Sequence, residues 1–131
     1  MFALFFEPRH RVLMVRVTGL FSSQDIETHD RAALSFLARE VGEVRGIYDL
    51  SAVETVAVPS SKAVQRGQAP SIIATRVVVV APHGAAAEFV RIVREQQRLA
   101  GHREPILVAT LEEAYLALEL TDPHFEPLEA G

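Results

Sequence analysis

The 131-residue chain has no cysteine and no tryptophan. Without thiols there is no disulfide framework, no thiolate metal site and no thiol nucleophile, and the composition suits a reducing compartment. Excess positive charge is missing too: 13 basic side chains face 17 acidic ones, for a net charge of −4. A nucleic-acid binder carries a basic footprint, so that class is excluded as an expectation. Lysine is nearly absent. Lys62 stands alone against 12 arginines, a bias that reads as genomic base composition. No long apolar run exists. The longest central one, Val77 to Pro82, falls far short of the roughly 20 residues that cross a bilayer. The opening Met1 to Phe6 has no basic leader, so no targeting segment is expected and the expected location is the cytoplasm.

What is present is an ordinary globular mixture, with 49% hydrophobic and 23% charged residues. A chain of this length forms one domain and buries roughly two thirds of its unfolded surface. The domain is expected over residues 1–121, with 122–131, which holds two prolines, as a loose tail.

Phe2 to Glu7 and Arg11 to Thr18 read as a β-hairpin turning at Pro8-Arg9-His10 and ended by Gly19. The aromatic first strand (Phe2, Phe5, Phe6) suits either core or an interface. Ser22 and Asp25 have the spacing of a capping box. Ile26, Ala33, Leu37 and Val41 then recur at helical spacing, predicting a helix from about Ser23 to Val41. Val44 to Leu50 is the third strand, with Asp49 at its carboxyl end and Ser51 directly after. Residues 52–58 form a connector. Pro59-Ser60-Ser61 opens a short helix to about Arg66, since proline suits a first turn. Val77 to Val80 is a continuous β-branched run, the mark of a strand covered on both faces. After Pro82-His83-Gly84, residues 85–100 form an amphipathic helix with Phe89, Ile92, Val93 and Leu99 inward. Ile106 to Ala109 is the last strand, and Thr110 with Glu113 caps a final helix. The fold class is therefore α/β, in the order β-β-α-β-α-β-α-β-α. It implies one mostly parallel sheet with helices on both faces.

Chemistry is sparse. The five histidines (10, 29, 83, 102 and 124) lack ligand spacing and read as scattered surface residues, so no metal or cofactor is expected. There is no nucleophile elbow. Gly84 stands alone where a phosphate loop needs several glycines. The most informative stretch runs from Asp49 through Ser51 to Ser60 and Ser61. It lies at the carboxyl edge of a parallel sheet, where α/β folds gather ligands. A phosphate on Ser60 or Ser61 would meet the positive end of a helix dipole.

At this stretch the chain resembles the STAS superfamily, the anti-sigma-factor antagonists and their SpoIIAA-like (STAS/SEC14-like) relatives. Asp49-Leu50-Ser51 matches the antagonists' strand end. Pro59-Ser60-Ser61-Lys62 stands near the place of their Asp-Ser-Ser-Gly, with Pro59 for the aspartate and Lys62 for the glycine. Val79-Val80-Ala81-Pro82 and Glu112-Glu113-Ala114 resemble further SpoIIAA-like patterns. The resemblance implies a non-catalytic binding or regulatory module, with Ser60 or Ser61 as phosphosite and an anti-sigma-like kinase as protein partner.

The leading expectation is a protein-binding edge made of Asp49, Ser51, Ser60 and Ser61, with His83 and Gly84 beside it. Asp49 would organise the loop by accepting backbone hydrogen bonds. The alternative is a carrier of a small apolar or anionic ligand, held in a pocket under residues 51–75 and lined by Val53, Val56, Val58, Ile72 and Ile73. An enzyme would need an acid–base pair, for which only Asp49 and His83 are placeable. Domains of this kind also pair as homodimers through a sheet edge or a helix face.

Overall fold

The computed structural model describes residues 1–73 and 75–128. Strands β1 (Phe2–Glu7) and β2 (Val12–Ser22) form the expected hairpin. Helix α1 (Ser23–Arg39) follows, then β3 (Arg45–Ala57), α2 (Ser60–Gln68), β4 (Val77–Val80), α3 (Gly84–Leu99), β5 (Ile106–Val108), α4 (Leu111–Ala117) and β6 (Glu126–Pro127). One six-stranded sheet has the order β5-β4-β3-β2-β1-β6. The pairs from β2 to β5 are parallel, while β1 is antiparallel to both its neighbours. This is the expected α/β architecture with one added strand.

The added strand lies in the stretch read as a loose tail. Glu126 and Pro127 pair with Phe6 and Phe5, and the Leu128 N–H donates to the Leu4 carbonyl. Upstream, the His124 N–H donates to Glu7 Oε2 at 2.6 Å, and Phe125 stacks on Tyr115 with ring centroids 6.0 Å apart. A two-residue strand ending in proline has no periodicity to announce it. Residues 129–131 lie outside the described residues.

Strand β3 corrects a central expectation. It does not end at Leu50 but runs on to Ala57, so Asp49-Leu50-Ser51 is mid-strand. Residue 49 marks instead where the pairing with β4 ends, at Asp49↔Val80. Beyond it β3 pairs only with the extension of β2, from Thr18↔Ala52 to Ser22↔Ala57. Two register shifts occur there, and at each β3 carries the extra residue. Such bulges break a period of two. Val53 and Val56 therefore pack on the same cluster although they are three apart. The segment expected as a connector, 52–58, is strand as far as Ala57.

The alternation of β2 and β3 sends side chains to two different layers. On one face Val15, Val17 and Leu50 meet α1 and α3 through Ile26, Ala86, Ala87 and Val90, and Leu13 meets Ala33 and Ile73. On the other face Val12, Met14, Ile47, Val78 and Val80 meet α4 through Ala114 and Leu118. The aromatics of β1 serve both layers and are partly buried core: Phe2 and Phe6 on the first face, Phe5 on the second.

Local signals explain the helices. The Ser22–Asp25 capping box is present on α1. Thr110 caps α4 by accepting from the Glu113 N–H. Helix α1 stops at Arg39, leaving Val41 91% exposed rather than inward. Leu99 is exposed too, and Gln97 takes the buried place at the end of α3. Gly67 lies inside α2 rather than breaking it. A Cβ there would sit 2.5 Å from both Gln96 Cβ and the Val93 carbonyl oxygen of α3. The missing side chain is what lets α2 press against α3.

Candidate binding site on the three-helix face

A cavity of about 320 Å³ lies on the sheet face that carries α1, α2 and α3. Its floor is Val15, Val17, Tyr48, Leu50, Val77 and Val79, and its walls include Ile26, Phe89, Val90 and Val93. This volume is at the low end of the range for small-molecule sites. Helix α2 joins the two walls. It is tied to α1 by Arg66 Nη1 on Asp30 Oδ2 at 2.8 Å and to α3 by the close approach at Gly67. Arg66 itself lines the cavity.

Among the apolar walls stands an ordered row of polar side chains. The Tyr48 hydroxyl lies 2.9 Å from His29 Nε2. His29 Nδ1 lies 3.0 Å from Asp30 Oδ1, and Arg66 neutralises that carboxylate from its other oxygen. Burial pushes the His29 pKa below its ordinary 6.5; Asp30 opposes the shift and Arg66 reinforces it. Burial pushes the Tyr48 phenol well above its ordinary 10. The order phenol–imidazole–carboxylate is that of a nucleophile triad. The two pKa shifts run the wrong way for one. A weaker acid facing a weaker base keeps the proton on Tyr48, so the row holds a neutral hydroxyl in place and does not generate a phenolate.

The residues singled out from the sequence lie elsewhere. Asp49 is buried on the α4 face, the opposite side of β3 from Tyr48. Its Oδ1 accepts from the Ser51 N–H at 3.1 Å and the Ser51 hydroxyl at 2.6 Å. Its Oδ2 accepts from Arg16 Nε at 3.2 Å. The first of these supplies a backbone donor at the bulge with a partner. The Asx-type contact is thus present, but inside a strand. Ser51 is exposed beside it.

Ser60 and Ser61 are exposed in the first turn of α2, whose N-cap Pro59 offers no side-chain hydrogen bond. The β2–β3 extension carries them beyond the level where β4 ends. His83 is the exposed N-cap of α3, also without a side-chain bond, and Gly84 has φ +79° with open space where a Cβ would stand. No hydrogen bond among the described residues joins Ser60, Ser61, His83 or Gly84 to Asp49. The Asp49–His83 acid–base pair does not form, because both Asp49 oxygens are taken by Ser51 and Arg16. Of the apolar residues expected around a pocket, only Ile73 lines the cavity. Val53, Val56 and Val58 pack on the edge of the core instead. Among the described residues no three His, Asp or Glu side chains come together to hold a metal ion.

Two cavity residues were missed. His29 was read as a surface histidine, yet it is 7% exposed. The signal was in its spacing: with Ile26 and Ala33 it completes an i, i+3, i+7 stripe on the inner side of α1. Tyr48 was read as a strand residue suited to a buried surface, and nothing local reveals its partner 19 positions away.

No protein-family model matches the chain, and no curated protein sequence does. Among solved structures it is similar to the anti-sigma factor antagonist SpoIIAA in its unphosphorylated form. The two share 15% sequence identity with a TM-score of 0.56, over 89% of this chain and 96% of that one. The likeness extends through nearly the whole sheet and its helices, and on that ground this chain has the SpoIIAA-like, STAS-type fold.

Proposed function

We propose that the chain is a non-catalytic binding module whose ligand, small and mostly apolar, occupies the cavity between the sheet and helices α1, α2 and α3. The observation that carries this reading is the cavity itself: about 320 Å³ lined mainly by aliphatic and aromatic side chains, with one oriented hydroxyl on its floor. Few convergent polar groups in an apolar hollow are the usual form of a small-molecule site. The pKa directions at Tyr48 and His29 support binding over catalysis. The test is displacement of an environment-sensitive apolar dye. Saturable binding at one site is expected, and Val93→Phe, which fills the hollow, should abolish it. No saturable binding, or equal binding by the variant, contradicts the proposal.

A second reading places a protein partner at the start of α2. It is favoured by the exposure of Ser60 and Ser61 next to an N-cap with no side-chain bond. A phosphoryl group there would be drawn to the helix N-terminus. Because α2 also joins α1 to α3, a partner on its first turn would act on the helix that borders the cavity. Phosphosite mapping after incubation with a cognate serine kinase tests this. Modification confined to other residues counts against it.

A further inference from the structure

The cavity's polar group has a fixed hydrogen-bond sense, and that sense restricts the ligand. The Asp30 carboxylate is ion-paired with Arg66, and a carboxylate only accepts. The proton between Asp30 and His29 must therefore sit on Nδ1. A neutral imidazole with its proton on Nδ1 has Nε2 as an acceptor. The hydroxyl proton of Tyr48 is then directed at His29 Nε2, across 2.9 Å. What Tyr48 turns toward any further partner is an oxygen lone pair.

A second polar side chain of the cavity lining has the same sense. Gln97 is 7% exposed, and its Oε1 is buried with no hydrogen-bond partner. A buried carbonyl oxygen without a donor is costly and calls for one. The Asp25 carboxylate lines the cavity as well and already accepts from the Ser22 backbone. Of the two arginines in the lining, Arg66 has its charge answered by Asp30, and Arg103 is exposed to solvent. At the Tyr48 floor of the cavity, a ligand bringing its own lone pairs or negative charge meets an acceptor.

Resting on the cavity reading above, we infer that the ligand is an apolar molecule whose polar end is a hydrogen-bond donor, an alcohol or phenol hydroxyl, received by the Tyr48 oxygen. The relay from Arg66 through Asp30 and His29 is a positioning device. It keeps the Tyr48 proton pointed away from the ligand.

A matched ligand series tests the inference by NMR titration. 4-Ethylphenol donates, 4-ethylanisole has the same skeleton but only accepts, and 4-ethylbenzoate carries a carboxylate. The phenol should bind roughly tenfold more tightly than the anisole, the worth of one hydrogen bond. Tyr48→Phe should remove that preference and leave the anisole's affinity in place. Anisole or benzoate binding as tightly as the phenol would overturn the inference while leaving the cavity reading intact. Failure of all three compounds to bind would contradict the cavity reading, and the inference with it. The imidazole ¹⁵N shifts of His29 in the unsubstituted protein give a check that needs no variant. The Nδ1–H tautomer is expected, and the Nε2–H tautomer would overturn the inference.

Discussion

The two faces of the sheet are built from the same strands and solved differently. One residue of β3 points to each. Ile47, fully buried, packs into the layer closed by α4. Tyr48, its neighbour, lies on the floor of the cavity under three helices. The α4 face is covered by one helix, but its polar groups are tied off. Asp49 is bound by Ser51 and Arg16. Arg16 lies over the Phe5 ring at 5.4 Å, and Glu7 gathers His10 and His124. The three-helix face has more cover and less closure, because α1 and α3 stand apart and α2 bridges them rather than filling the gap. More secondary structure over a sheet does not make a denser core. What distinguishes the faces is whether side chains from opposite walls meet.

The largest expected difference between the faces is in the cost of truncation. Ile47→Ala should destabilise by about 3–4 kcal/mol, because close-packed neighbours on every side lose contacts and a new void opens. Leu50→Ala, three residues along on the cavity floor, should cost only about 2 kcal/mol, because one side of Leu50 already faces a hollow. Urea unfolding of both variants measures this. Equal costs would erase the comparison.

Acid should separate the faces next. The Glu7 carboxyl on the α4 face is held at about 2, against an ordinary 4.5. Burial alone would raise it, but hydrogen bonds from His124, His10 and Arg9 outweigh that. A carboxylate with a lowered folded pKa stabilises fully above the unfolded value. Its contribution, on the order of 2 kcal/mol, should drain away as the pH falls from 4.5 to 2. Glu7→Gln should remove that acid limb. His29, on the cavity face, also has a lowered folded pKa. The unfolded chain binds the proton first, so its share of stability is lost as the pH falls below 6.5. The three-helix face should therefore loosen at higher pH than the α4 face. Amide exchange of α1 and α4 followed between pH 7 and 2 would show the order, and simultaneous loosening would contradict it.

The smallest effect is expected at the exposed edge. Ser60→Ala and Ser61→Ala should each shift stability by no more than about 0.5 kcal/mol, since neither side chain carries a cap bond. By contrast Ser22→Ala, which breaks the α1 capping box, should cost about 1 kcal/mol. Thermal melts compare them.

Much of the fold was legible because its signals are local. The hairpin alternation, the Ser22–Asp25 box, the valine run of β4 and the amphipathic α3 each lie within one element. The path of β3 was not legible, because bulges shift its pleat and the extension of β2 supplies its pairing. Strand β6 was hidden by its length. Asp49 was expected to accept backbone hydrogen bonds in a loop; it accepts one from the Ser51 N–H, but inside a strand, and that place and its face depend on register. The cavity lay beyond sequence reasoning altogether. It is an absence of contact between elements far apart in the chain, and neither Tyr48 nor His29 shows its partner until α1 is laid on β3. Only the helical stripe through His29 pointed inward.

Xenon under pressure, followed by methyl NMR, addresses the difference between the faces without any assumption about the ligand, since apolar cavities take up xenon and packed cores do not. The methyl groups of Leu50, Val79 and Val90 should shift with xenon pressure, while those of Ile47, Val78, Val80 and Leu118 stay fixed. Equal shifts on both faces, or none on either, would contradict the picture of one hollow and one solid layer.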